Sequence, residues 1–189
     1  MENYLLMPFV EIEIRLGTIC KDSFDASVDK RYFEKIKESL ESGNCWKTIV
    51  RKETTEYCKD NLKMIDKLII LKENILKKDT QLKSSPFDIR FAINQEFKTS
   101  SVVSKDDCVI RIKNRTSFVA DDFQYDLTIV NEKKNGINKL KYEIEIELLV
   151  NKNTLLWENK YINDYLECKV YDLINIVEPS EREEFKITL

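Results

Sequence analysis

The chain contains no histidine in its 189 residues. That absence excludes serine–histidine and cysteine–histidine catalysis, and any histidine-ligated zinc. Glycine is almost as scarce: only Gly17, Gly43 and Gly136 occur. They are too few and too scattered for a P-loop or a G-x-G-x-x-G cradle, so a bound phosphate must be held by side chains. Cys20, Cys45, Cys58, Cys108 and Cys168 are odd in number and include no C-x-x-C pair. This fits reduced thiols in a cytosolic or nuclear compartment, acting as small core residues. The opening Met1 to Pro8 has no basic region and too short an apolar run for a signal peptide, and no stretch approaches a membrane span. The expectation is a soluble, intracellular protein with no membrane partner.

What the chain has in excess is charge, at 34% of residues, with 31 basic side chains against 34 acidic ones. The near balance gives no case for binding nucleic acid through net charge, so any phosphate site must be local. The length suits one domain over 1–189.

Period-two or continuous β-branched runs predict strands over 9–16, 46–56, 64–71, 87–93, 108–117, 123–130 and 140–150. Phe33, Ile36 and Leu40 share a face of a predicted helix over 29–41. Tyr165, Leu166, Leu173 and Ile174 do so over 162–177, which Pro179 stops. The class is α+β. Asn135-Gly136 predicts a two-residue type I′ hairpin. The lysine-rich stretch 72–85 reads as a surface loop or a weak strand.

Alternation along Val10 to Leu16 places Glu11, Glu13 and Arg15 on one face and Ile12, Ile14 and Leu16 on the other. The design recurs at Tyr142 to Leu148, where Glu143, Glu145 and Glu147 share a face. A single such strand is ordinarily amphipathic, with its charges in water. The hairpin register sharpens the question, because a turn at Asn135-Gly136 sets Thr128 opposite Glu143, Asp126 opposite Glu145 and Gln124 opposite Glu147. Two carboxylates about 5 Å apart repel by roughly 3 kcal/mol at an effective dielectric near 20. A sheltered cluster therefore needs a cation, basic neighbours or raised pKa values; an open sheet face needs nothing.

Arg111, Lys113 and Arg115 form a basic face on the strand just before Asp126, and a tight turn near Ala120-Asp121 would set Arg115 opposite Asp126. Asp88 and Arg90 share a further strand face. A closed barrel with charged residues inside, apolar residues outside and helices over parts of the wall uses all these faces. Oxygen-only ligands select a hard cation such as magnesium or manganese.

In content and order these motifs resemble the triphosphate tunnel metalloenzymes, specifically the fungal, protozoan and large DNA virus type of mRNA-capping RNA 5′-triphosphatase. Glu11 to Gly17 resembles that family's first metal-binding strand, and Arg111 to Arg115 its basic strand. Asp126-Leu127-Thr128 resembles the acidic strand that follows, Glu143 to Glu147 the last glutamate strand, and Phe87 to Arg90 the strand with a further phosphate-binding arginine. Gln124 departs from the pattern, standing where the family carries a basic residue.

The resemblance implies an eight-stranded antiparallel tunnel in which Glu11, Glu13 and Glu147 hold one Mn2+ or Mg2+ ion. It implies that Arg90, Arg111, Lys113 and Arg115 bind the triphosphate, with Glu143, Asp126, Thr128 and Arg15 in support. Glu145 and Glu96 are the candidates for the group that activates water. The implied reaction removes the γ-phosphate of 5′-triphosphate RNA, the first step of cap formation, with nucleoside triphosphates as further substrates and an RNA guanylyltransferase as a partner. The alternatives are an inorganic tripolyphosphatase or thiamine triphosphatase of the same superfamily, and a noncatalytic anion-binding barrel. Trp46 and Trp157 are expected to be packing aromatics, and Lys77-Lys78 a solvated charge run.

Overall fold

The computed structural model describes residues 4–21, 23–100 and 108–179; Met1 to Asn3 of the opening segment lie outside them. Helix α1 (Lys30–Ser42) begins at Asp29, whose carboxylate accepts the Arg31 N–H, and ends at Gly43. It follows β1 (Val10–Cys20) and the short β2 (Ser23–Asp25). Seven strands come next: β3 (Thr48–Lys59), β4 (Leu62–Ile65), β5 (Leu68–Thr80), β6 (Asp88–Thr99), β7 (Val109–Val119), β8 (Phe123–Lys134) and β9 (Ile137–Leu148). Helix α2 (Asn159–Val177) closes the described chain just before Pro179, starting three residues earlier than its apolar face predicts.

Among the described residues the strands run in the order β2-β1-β6-β5-β4-β3-β7-β8-β9, and β1 also pairs with β9. That last pairing, from Ile12–Leu148 to Leu16–Ile144, closes eight antiparallel strands into a barrel, with β2 as an extra strip on β1. The expected α+β barrel is the fold observed.

Closure explains where the apolar residues go. Ile12, Ile14 and Leu16 of β1 and Ile144, Ile146 and Leu148 of β9 point outward and are 2% exposed or less. They join Phe33, Ile36 and Leu40 of α1 and Leu166, Val170 and Leu173 of α2 in one cluster. The core thus lies between the barrel wall and the helices, and the barrel interior is left to polar side chains. Trp46 packs on Phe118, Phe123 and Tyr125, and Trp157 on Tyr161 and Tyr165, as expected of packing aromatics. Of the five cysteines only Cys108 is buried, while Cys20 and Cys45 are exposed. This corrects their reading as core residues: four of them sit on turns, strand ends or half-covered faces outside the packed cluster. No helix among the described residues is long and apolar enough to cross a membrane.

Two expectations change and one open alternative resolves toward strand. The predicted strand over 64–71 is two strands, β4 and β5, joined at Asp66-Lys67, both with positive φ. The stretch begun at Lys72 is mostly strand, since β5 runs on to Thr80 and pairs with β6. The β7–β8 turn is centred on Asp121-Asp122, so Arg115 stands opposite Thr128 and Ser117 opposite Asp126. The β8–β9 register is the predicted one throughout: Thr128 faces Glu143, Asp126 faces Glu145 and Gln124 faces Glu147.

At Gly17 the far end of β2 lies close against β1. A Cβ there would lie 2.2 Å from the Asp25 carbonyl oxygen and 2.6 Å from the Phe24 ring. Gly17→Ala is therefore expected to cost about 2–3 kcal/mol through overpacking, read as a lower urea midpoint. A change under about 0.5 kcal/mol would show that β2 yields without resistance.

Candidate active site

The inward faces of the strands enclose a cavity of about 260 Å³. Its wall takes Glu11, Glu13 and Arg15 from β1, Glu96 from β6, Lys113 and Arg115 from β7, and Glu145 from β9. Seven of the residues singled out in the sequence therefore share one enclosed space, facing inward because each strand alternates. Glu13 stands directly across from Glu147, and Arg15 from Glu145, in the β1–β9 pairing.

Charges are matched in detail. Arg15 reaches Glu13 at 3.2 Å and Glu145 at 3.1 Å. Arg115 donates to Asp126 at 2.7 Å, to Glu145 at 3.0 Å and to the Thr128 hydroxyl at 3.1 Å. Asp126 and Thr128 are fully buried and fix that guanidinium from below. The predicted Arg115–Asp126 pair thus forms diagonally, because a register shift of two keeps both side chains on one face. Arg111 pairs with Glu143, and Lys113 with Glu56 at 2.8 Å. Gln124 donates its amide to both Asp126 and Glu147.

Burial disfavours ionisation of Glu145, yet Arg15, Arg115 and Lys113 together hold its carboxyl well below the ordinary range. Burial pushes Asp126 and Glu143 upward. Glu147 is raised further, to about 8, by burial and then by the carboxylates of Glu11, Asp126, Glu145 and Glu13. Negative charge is therefore in local excess around Glu147 while the basic strand holds Glu145 ionised.

Arg90 is placed differently from the other predicted phosphate ligands. Its guanidinium is held by Asp79 at 2.7 and 2.8 Å and lies 4.6 Å from the centre of the Phe24 ring, outside the lining of the cavity. Arg111, Glu143 and Glu147 also stand outside that lining, as do the supporting Asp126 and Thr128. The buried Nε atoms of Arg15 and Arg111 have no hydrogen-bond partner among the described residues. Such donors are costly unless something accepts from them, and an anion's oxygens would.

Sequence reasoning missed half of the wall. Lys52, Thr54 and Glu56 of β3, Lys63 of β4 and Lys72 of β5 also line the cavity. Lys72 reaches Glu11 at 2.5 Å and Glu13 at 3.4 Å, and Lys63 reaches Glu96 at 2.6 Å. The alternation Lys52-x-Thr54-x-Glu56 is a signal, but Arg51, Glu53 and Thr55 on the alternate positions are polar too. Among the described residues β3 adds no side chain to the packed core, so neither of its faces stands out as apolar.

The sequence profile of the family described as "mRNA capping enzyme, beta chain" matches residues 51–175. The chain belongs to that family. Its fold is shared with S. pombe Pct1 RNA triphosphatase, at a TM-score of 0.69 and 16% identity over 97% of this chain and 90% of that one. A second structure, of Pct1 in complex with the Spt5 CTD, gives a TM-score of 0.63 and 17% identity, covering 97% and 91%. The Mimivirus capping enzyme triphosphatase matches at 0.62 and 14%, covering 92% of each chain. No curated protein sequence matches the chain. Membership of the capping family, together with the tunnel fold, supports polynucleotide 5′-triphosphatase activity.

The family implies a divalent cation, and the donor set fits one: hard carboxylate oxygens, cross-strand Glu13 and Glu147, and a Glu147 that burial and then the surrounding carboxylates push up to about 8. Among the described residues no three such side chains already converge on one point. Lys72 occupies Glu11 and Glu13, and Gln124 occupies Glu147. An ion would have to draw these carboxylates away from their present partners.

Proposed function

We propose that this chain, as a single tunnel domain over residues 1–189, hydrolyses the γ-phosphate of 5′-triphosphate RNA to leave a diphosphate end and free phosphate, and also accepts nucleoside triphosphates with manganese. The observation that carries the reading is the cavity in which Lys113, Arg115 and Arg15 face Glu11, Glu13 and Glu145. Glu11, Glu13 and Glu147 are the proposed ligands of a magnesium or manganese ion, which when bound would supply Lewis-acid charge stabilisation at the phosphate oxygens.

The chain's own groups do the rest. Lys113 and Arg115 bind the transferring phosphoryl group, and Arg15 offers its unpartnered Nε–H donor to the remaining oxygens, while Arg111, tied to Glu143 outside the cavity lining, acts on phosphate only if that pair opens. Asp126 and Thr128 keep the Arg115 fork in place. Glu145, held ionised, orients the attacking water for in-line displacement. Lys63 and Lys72, released from Glu96 and Glu11, add positive charge toward the phosphates. Arg90, tied to Asp79, acts on phosphate only if that pair opens.

The test is phosphate release from triphosphate-ended RNA and from tripolyphosphate at equal concentration, with manganese, with magnesium and with chelator. Release from RNA with either ion, none with chelator and a diphosphate-ended product are expected. Efficient cleavage of tripolyphosphate with RNA left intact would move the assignment to a small-molecule triphosphatase.

A further inference from the structure

The β8–β9 hairpin carries features that the cavity does not need. Residues 130–141 hold four lysines and one glutamate, an excess of three positive charges in a chain whose net charge is −3. Lys141 pairs with Glu132 at 3.0 Å, but Lys133, Lys134 and Lys139 are exposed and make no ion pair among the described residues. β1 pairs with β9 no further than Leu16–Ile144, so the first part of β9 stands clear of it.

The face that the hairpin presents is a continuation of the tunnel wall. Following inward positions down β9 leads from Glu145 through Glu143, Lys141 and Lys139 to Ile137, and down β8 from Asp126 to Glu132 and Lys134. At the tip, Glu132, Lys134, Asn135, Ile137 and Lys139 line a separate recess of about 140 Å³. Ile137 is 62% exposed although it is apolar. Cations spaced along a strand face, with an apolar surface between them, suit a single-stranded polynucleotide: lysines take the phosphodiesters, and a base lies on the apolar side chain.

We propose that this hairpin binds the RNA chain just downstream of the triphosphate, with Lys134 and Lys139 on the backbone and Ile137 under a base. It is thereby the element that favours RNA over free triphosphates. The inference rests on the RNA triphosphatase reading, since it concerns the body of that substrate.

The experiment compares wild type with Lys134→Ala/Lys139→Ala on triphosphate-ended RNA of increasing length and on tripolyphosphate, across a salt series. For wild type, KM for RNA falls as nucleotides are added. The double variant is expected to raise KM for the longer RNA about tenfold at low salt. It should also flatten the slope of log kcat/KM against log salt by about 1.4, roughly 0.7 for each phosphate contact removed from a single strand. Tripolyphosphate hydrolysis stays unchanged, as does RNA hydrolysis by the control Lys30→Ala/Lys152→Ala, whose lysines are exposed elsewhere. An equal loss on both substrates, or RNA kinetics untouched, would overturn the assignment; the latter is the result expected if the hairpin serves an acidic protein segment instead. If wild type releases phosphate from neither substrate, the triphosphatase reading itself fails, and that outcome is distinct from both.

Discussion

Glu147→Gln is expected to lower phosphate release by about 100-fold or more while making the metal-free protein more stable at pH 8. The two effects have one origin. Burial and the neighbouring carboxylates raise Glu147 from 4.5 to about 8, so the fold favours its protonated form. The corresponding stability is complete below the unfolded value of 4.5 and is lost as pH rises through about 8. Solvent screens a half-buried group, so the loss amounts to roughly 2–4 kcal/mol. Glutamine is neutral at every pH, so urea midpoints of the variant should decline less from pH 5 to 9 than those of the wild type, keeping only the share that the raised Asp126 and Glu143 contribute. Divalent ion should offset the wild-type decline and leave the variant unmoved. A variant that is both active and as pH-sensitive as wild type would show that Glu147 is an ordinary solvated carboxylate.

Lys113→Met is the second large effect. It removes a cation from the cavity and leaves Glu56, only 6% exposed, without its partner at 2.8 Å. Breaking such a buried pair costs about 3 kcal/mol or more, and losing one phosphate-directed cation lowers kcat about 100-fold. Adding Glu56→Gln separates the two consequences. The double variant should regain about 2 kcal/mol in urea unfolding, because the stranded charge is gone, yet stay as inactive as the single variant. Recovery of activity together with stability would reduce Lys113 to a counter-ion for Glu56.

The parts of the tunnel legible in the sequence are those whose outer face is covered by a helix. β1 and β9 press isoleucines and leucines onto α1 and α2, so period-two alternation separated Glu11 and Glu13, and Glu143 to Glu147, from the core. Asn135-Gly136 fixed the β8–β9 register because few other pairs take positive φ at both positions so easily; Asn135 is at 49° and Gly136 at 76°. Where these aids are missing, the reading weakened. Asp66 and Lys67 make their turn at φ 48° and 70° with no glycine, and the turn went unseen. β5 has lysines facing both the cavity and water, so the stretch from Lys72 reads equally as a loop or a weak strand. In β7–β8 two consecutive aspartates left the turn's centre open by one residue. That moved the pairing by two while preserving the face on which Arg115 meets Asp126.

The most direct measurement is anomalous scattering from a crystal soaked in manganese. The account predicts one strong peak inside the barrel, bonded to carboxylate oxygens of Glu11, Glu13 and Glu147, with the Lys72 ammonium withdrawn from Glu11. A fully active protein whose manganese binds elsewhere, with Lys72 still bridging Glu11 and Glu13, would contradict it.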